Sequence, residues 1–217
     1  MADYRSIYNQ VISTNENYNR AENSPGFLNC VKSLSRLQLL QGKALDVGCG
    51  VGFVCQFLSR RPCHFDVHGV DVSDEAIART QERLAHLKNM PSRFQRIEEC
   101  RLPFDEQSFA LVTCFDVLEH LDPPDIDMLV SEIMRVLRRG GFFFGSVSCR
   151  AAGTLDHRGE NLHRTVERPQ WWIDRLQPDE ATFESDEEQL LLWKRNWAAK
   201  KVSVRSTSTA LPAGPTI

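Results

Sequence analysis

At 217 residues and 41% hydrophobic content, the chain is long enough to bury one substantial core, and a single doubly wound α/β unit fits within it. A formal charge of −3 gives no general attraction to nucleic acid or to anionic membranes, so a small molecule is the expected partner. Seven scattered cysteines with no C-x-x-C pair speak against zinc and against a disulfide framework, and neither a bilayer-spanning run nor a signal-peptide pattern after Met1 is seen, so a cytoplasmic protein is expected.

All three tyrosines, Tyr4, Tyr8 and Tyr18, fall in a polar N-terminal segment. Residues 25 to 40 read as a helix, with Leu28, Val31, Leu34 and Leu37 at intervals of three and Gly42 placed to end it. Ala44-Leu45-Asp46-Val47 then forms a buried strand running into Gly48-Cys49-Gly50-Val51-Gly52, a loop whose glycines let the backbone turn tightly and approach a ligand before a helix near Phe53. The spacing is not the G-x-G-x-x-G of dinucleotide dehydrogenases. Asp46, two residues ahead of the first glycine, repels a phosphate and attracts an amino or sulfonium group, which favours S-adenosylmethionine over NAD.

The strand over 65–71 ends on Asp71, roughly 20 residues past the loop, where a βαβ unit presents an acid to a ribose. Ser73 is placed to cap the next helix, with Asp74 and Glu75 in its first turn and Ala76, Ile77, Leu84 and Leu87 on its apolar side. Strands near 43–48, 65–71, 93–98, 109–115 and 141–148 alternate with helices, which implies a mostly parallel sheet with right-handed crossovers. Past residue 150 the pattern weakens. A strand is expected at 181–183, a helix over 186–200 carrying Leu190, Leu191, Trp193 and Trp197, and a disordered tail over 201–217. With one strand found there, closure of the sheet edge is left open.

Taken together, the glycine loop, Asp71, the run Arg101 to Phe109, the run Asp116-Val117-Leu118-Glu119-His120-Leu121 and Arg135 to Gly141 resemble the class I S-adenosylmethionine-dependent methyltransferases, in their order and spacing over about residues 40 to 150. The resemblance implies a Rossmann-like sheet of order 3-2-1-4-5 with the cofactor at the switch between strands one and four. It divides the chain into a lid and helix at 1–42, a cofactor-binding core at 43–150, an acceptor-side loop and helix at 151–200, and the tail. The implied cofactor contacts are Tyr18 from the lid, Asp46, Gly48, Cys49, Gly50, Gly52, Asp71, Val72, Glu98, Glu99, Cys100 and Phe115. Glu98 stands where the family usually has aspartate.

Methyl transfer from a sulfonium asks the protein to align and desolvate a nucleophile and sometimes to remove a proton. His163, in the polar loop after strand five, is the candidate general base, and His157 a weaker one. Glu119 and His120 complete the catalytic set. With Asp116 they have spacing i, i+3, i+4 and share a face if helical; a similar run binds a divalent ion in small-RNA 2′-O-methyltransferases and resembles the ubiquinone-pathway O-methyltransferases. The reading gives them a bracing role and assigns no metal ligand. Trp171 and Trp172 are candidates for an acceptor wall, and Arg150, Arg158, Arg164 and Arg168 for attraction of an anionic acceptor. The resulting expectation is methylation of an oxygen or nitrogen of a small metabolite, a sugar or an anionic compound among the options. The alternatives are a metal-assisted RNA 2′-O-methyltransferase and a non-catalytic cofactor-binding partner subunit.

Overall fold

Strands that are apolar at consecutive positions serve a sheet covered on both faces, and the pattern of burial here follows that rule. Ala44 packs to one side and Leu45 to the other; Leu111 and Val112, then Phe143 and Phe144, repeat the alternation. The computed structural model describes residues 4–15, 20, 24–87, 92–98, 100–183, 188–196 and 203–206. Its strands are β1 (Lys43–Val47), β2 (Asp66–Asp71), β3 (Phe94–Arg96), β4 (Phe109–Phe115), β5 (Leu137–Ser148), β6 (Glu180–Phe183), β7 (Gln189–Arg195) and β8 (Ser203–Ser206). They form one sheet of order β3-β2-β1-β4-β5-β7-β6-β8. The first five are parallel, in the expected order 3-2-1-4-5, and β7 joins β5 antiparallel.

The helices are α1 (Tyr4–Thr14), α2 (Pro25–Lys32), α3 (Leu34–Leu37), α4 (Phe53–Ser59), α5 (Asp74–Arg83), α6 (Pro123–Val136) and α7 (Pro169–Leu176). Residues of α2 to α5 share a core with one sheet face, whereas α6 and α7 bury Ile126, Ile133, Trp172 and Ile173 against the other. Ser73 caps α5 as expected, its hydroxyl accepting the Ala76 N–H at 3.1 Å. No described helix is long and apolar enough to cross a membrane.

Three local readings are corrected. The helix expected over 25–40 breaks at Ser33, and its buried side carries Gly26, Cys30 and Leu37, leaving Leu28 and Val31 41% and 46% exposed. The cause is close packing: a Cβ on Gly26 would lie 2.8 Å from Phe115 Cβ, so α2 meets the sheet along its glycine edge. The helix expected over 186–200 is instead β7. Its run of apolar residues serves two faces, Leu190 and Leu192 on one, Leu191 and Trp193 on the other, with Trp193 stacked on Phe144 at 3.8 Å. Pairing with β5 and β6 therefore overrides helical spacing and closes the edge hairpin left open in the sequence; Trp197 lies outside the described residues. Within the segment read as a disordered tail, β8 pairs with β6, and 207–217 lie outside the described residues. The seven cysteines are all free, five of them buried.

Candidate functional site

The loop between β1 and α4 is bent by backbone that only glycine adopts cheaply. Gly48 has φ +70°, and a Cβ there would come within 2.3 Å of Val117 Cγ2. Gly50 donates its N–H to Asp71 Oδ2 at 2.9 Å, and its carbonyl accepts the Thr80 hydroxyl at 2.7 Å, which pins the loop to β2 and α5. The other Asp71 oxygen accepts the Ser73 N–H at 2.9 Å. Asp71 is thus oriented by backbone donors from the glycine loop and from the start of α5.

Asp46, 3% exposed, accepts the Thr113 hydroxyl at 2.6 Å and the Cys55 thiol at 3.6 Å. Burial pushes its pKa up to about 7, against the pull of those two donors. The carboxylate is therefore poised to ionise when a cation is placed beside it.

A cavity of about 960 Å³ opens above the carboxyl ends of β1, β2, β4 and β5, at the switch point of the sheet and of a size suited to a drug-sized ligand. Asp46, Gly48, Cys49, Gly50, Asp71, Val72, Glu98, Cys100, Phe115, Glu119, His120 and His163 all line it. Gly52 does not: it takes a left-handed conformation as the N-cap of α4. Tyr18 and Glu99 lie outside the described residues. The Glu98 side chain bonds Arg96 at 2.7 Å, which holds its carboxyl below the usual range.

Helix α1 forms part of the cavity wall. Asn9 Oδ1 accepts the Ser73 hydroxyl at 2.8 Å, Arg5 pairs with Asp74 at 2.8 Å, and at the other end Tyr4 Oη accepts the Asp122 N–H and donates to Asp125. Tyr4 and Tyr8 line the cavity. The clustering of tyrosines and the lid implied by the resemblance both pointed to this segment.

On the opposite wall, the segment after β4 forms one 3₁₀ turn, Leu118–His120. Asp116 precedes it with φ +52°, and its Oδ1 accepts the Ser146 hydroxyl and the Gln189 amide, each at 2.7 Å. The expected helical face shared by Asp116, Glu119 and His120 is absent, because Asp116 is tied to β5 and β7 while the other two belong to the turn. Glu119 is fully buried; Oε1 accepts the Ser148 N–H at 3.0 Å and Oε2 has no hydrogen-bond partner. Burial drives the Glu119 pKa well up and that of His120 down to about 4. The His120 Nδ1 lies 3.0 Å from the Leu162 carbonyl, and the His163 Nδ1 2.6 Å from the Arg150 carbonyl. A carbonyl only accepts, so in each ring Nδ1 is the donor to its carbonyl. The two rings meet edge to face at 4.7 Å. Thr165 fastens this loop to the turn, donating its hydroxyl to Leu121 O at 2.6 Å and its N–H to Glu119 O at 3.0 Å.

Other expectations fail. Trp172 is fully buried in the core and Trp171 lies beneath Arg175, and neither lines the cavity. Arg150 pairs with Glu188, Arg158 with Asp156 and Glu160, and Arg164 with Asp122; of the four named arginines only Arg150 reaches the cavity. These pairs cancel much of the positive field proposed for an anionic acceptor. His157 is exposed away from the cavity. Gln189 and Ser148, both at the site, were missed: the first lay in a segment read as helix, and the second acts through its backbone.

Residues 44–141 match a family model described as a methyltransferase domain. A ubiquinone biosynthesis O-methyltransferase from Acinetobacter baumannii (strain ACICU) is 30% identical over 110 residues, which are 48% of this chain and 43% of that one. Methyltransferase GfsG from Streptomyces halstedii is 36% identical over 109 residues, 49% and 38% of the two chains. The chain spans less than half the length of these relatives. Among solved structures, a Haemonchus contortus phosphoethanolamine N-methyltransferase 2, in complex with phosphomonomethylethanolamine and S-adenosylhomocysteine, has a TM-score of 0.56 at 23% identity, over 82% of this chain and 41% of that one.

Proposed function

We propose that this chain, a member of the class I S-adenosylmethionine-dependent methyltransferase family, binds S-adenosylmethionine in the cavity under α1 and moves its methyl group to an oxygen or nitrogen of a small molecule. The observation that carries the reading is the pairing of the Asp71 carboxylate with the glycine loop, joined through the Gly50 N–H. The Asp71 carboxylate suits the ribose hydroxyls, Arg96, Ile97, Glu98 and Cys100 border the space for adenine, and Asp46 supplies negative charge below the loop for the amino group.

The nucleophile then approaches from the wall built by the Leu118–His120 turn and the loop carrying His163. His120 and His163 stand on that wall, each held by an Nδ1 hydrogen bond to a main-chain carbonyl; burial makes His120 a weak base, so His163 is the candidate to take a proton from the acceptor. Asp116, fixed by Ser146 and Gln189, keeps its second oxygen to accept a hydrogen bond from the acceptor. The O-methyltransferase relative favours an oxygen acceptor. The paired arginines count against a strongly anionic one.

Calorimetric titration of Asp71→Ala with S-adenosylhomocysteine tests the reading. The variant is expected to bind on the order of 100-fold more weakly, about 2.7 kcal/mol; unchanged affinity would remove Asp71 from the site and the reading with it.

A further inference from the structure

We propose that a second, smaller cavity, between α2, α4 and the turn that follows α4, is a binding site for a small compound with an aromatic or apolar body and an anionic head. Neither its chemistry nor its test depends on the methyltransferase reading above.

The cavity holds about 320 Å³, at the small end of ligand sites. That volume suits a single-ring compound and not a peptide segment, so the occupant is a small molecule. Its walls include Phe27 from α2, Phe53, Gln56 and Phe57 from α4, and Arg60 and Arg61 from the turn.

Three phenyl rings, each only partly buried, surround this space. One exposed apolar side chain would be ordinary, whereas three around a single hollow form a surface that an apolar group can cover. The rings are held in place without a ligand. Phe27 and Phe57 meet edge to face at 5.8 Å, with their planes at 90°. The Arg83 guanidinium lies 4.1 Å over the Phe53 ring, and Arg83 is itself anchored by its Nε, which donates to the Val51 carbonyl at 2.7 Å. A wall set in advance spares the ligand part of the ordering cost of binding. Phe53 also borders the larger cavity, so this ring stands at both.

The charged residues decide the head group. Arg60 and Arg61 are both exposed, neither pairs with a described carboxylate, and among the described residues no carboxylate lines the cavity. Arg36, Arg93, Arg135 and Arg175, by contrast, each face an acid. Main-chain bonds fix the turn: the Arg60 N–H reaches the Phe57 carbonyl at 3.3 Å, and the His64 and Phe65 N–H groups reach those of Arg60 and Leu58 at 2.9 and 2.8 Å. The carbonyl end of α4 gives a reason for positive charge here, but it offers only about half a unit of negative charge. Two guanidinium groups exceed it and leave a surplus for an anion. Each can bind a carboxylate or a phosphate through paired N–H groups, and the Gln56 amide offers a neutral donor beside them. The rings then take the body of the ligand, stacked or edge on.

The test is titration of the full chain with 4-fluorophenyl phosphate and, separately, with 4-fluorobenzoate, followed by the broadening of the ligand ¹⁹F resonance. Fluorobenzyl alcohol, titrated in the same way, supplies the body alone, and inorganic phosphate, added as a competitor, the head alone. Expected is saturable binding of one equivalent of at least one aromatic anion, the tighter of the two naming the head group. The double variant Arg60→Ser, Arg61→Ser is expected to bind it on the order of tenfold more weakly or worse, and the alcohol and inorganic phosphate to fall short by a similar factor. Both arginines are exposed, so the double variant keeps its fold, which its unfolding curve checks. The titrations are run with and without S-adenosylhomocysteine, whose own binding reports on the cofactor reading separately. Saturable binding of neither anion, an affinity unchanged in the double variant, inorganic phosphate as tight as the aromatic anions, or complete displacement of the probe by S-adenosylhomocysteine overturns the proposal.

Discussion

Replacing Gly48 by alanine places a methyl group where the glycine loop passes the segment after β4. The added Cβ meets Val117 Cγ2 at 2.3 Å, with two other Val117 carbons at 3.4 Å, and the residue must hold φ +70°. Left-handed backbone costs an L-residue about 1–2 kcal/mol, and forcing a methyl group into packed surroundings about 1–3 kcal/mol. Reduced freedom of the unfolded chain returns about 0.4–1 kcal/mol, so a net loss of roughly 2–4 kcal/mol is expected. Urea unfolding of Gly48→Ala, Val117→Ala and the double variant separates the terms. Val117→Ala relieves only the steric part, so the cycle should give a favourable coupling of about 1 kcal/mol or more. Cofactor binding should weaken as well, because Gly48 and Cys49 both donate their N–H groups to the Val70 carbonyl, and distortion there moves Gly50 away from Asp71. A single variant within about 0.5 kcal/mol of the parent, the size of an ordinary surface change, or a coupling of zero, would refute the packing argument.

Asp46, with a pKa of about 7, should make binding of S-adenosylmethionine pH-dependent. At pH 7 about half of the buried carboxyl is protonated and must release its proton to meet the ligand's ammonium, so affinity should fall about fivefold from pH 7 to pH 6 (about 1 kcal/mol), steepen towards about tenfold per pH unit below that, and level off above about pH 8. Calorimetry in buffers of different ionisation enthalpy should detect the released proton, and Asp46→Asn should be weaker and flat with pH; a parallel slope in the variant would exclude Asp46. Asn9→Ala removes the bond from α1 to Ser73 and should lower S-adenosylhomocysteine affinity by about 1 kcal/mol, roughly fivefold, whereas no change would mean that α1 does not cover the ligand. Trp172→Ala should cost about 3–5 kcal/mol of stability in chemical denaturation, as expected for a fully buried core side chain; a loss near zero would contradict that placement.

What the sequence made legible were the features enforced by the local backbone. Asp46, the glycines and Asp71 could be read because a strand ending in a tight turn needs those residue types at fixed spacing, and the structure joins the loop to Asp71 through the Gly50 N–H. Ser73 could be read as a cap for the same reason. The β7 segment could not, since Leu190 to Trp193 carry no periodicity that separates a two-faced strand from a buried helix; pairing with β5 decides it. His163 was visible as a polar loop residue, but its approach to Glu119 and His120 depends on non-local bonds from Arg150, Leu162 and Thr165. Trp171 and Trp172 suggested a binding wall by their chemistry alone, and α7 turns the second of them into the core.

The central claim, that the cavity under α1 takes S-adenosylmethionine, is tested most directly by thermal unfolding with S-adenosylhomocysteine and, in parallel, with NAD. At 100 times its dissociation constant a ligand adds about 2.7 kcal/mol, which for a chain of this size raises the melting temperature by roughly 5–10 °C. The account predicts that rise with S-adenosylhomocysteine and none with NAD. No shift with S-adenosylhomocysteine, or an equal one with NAD, would contradict it.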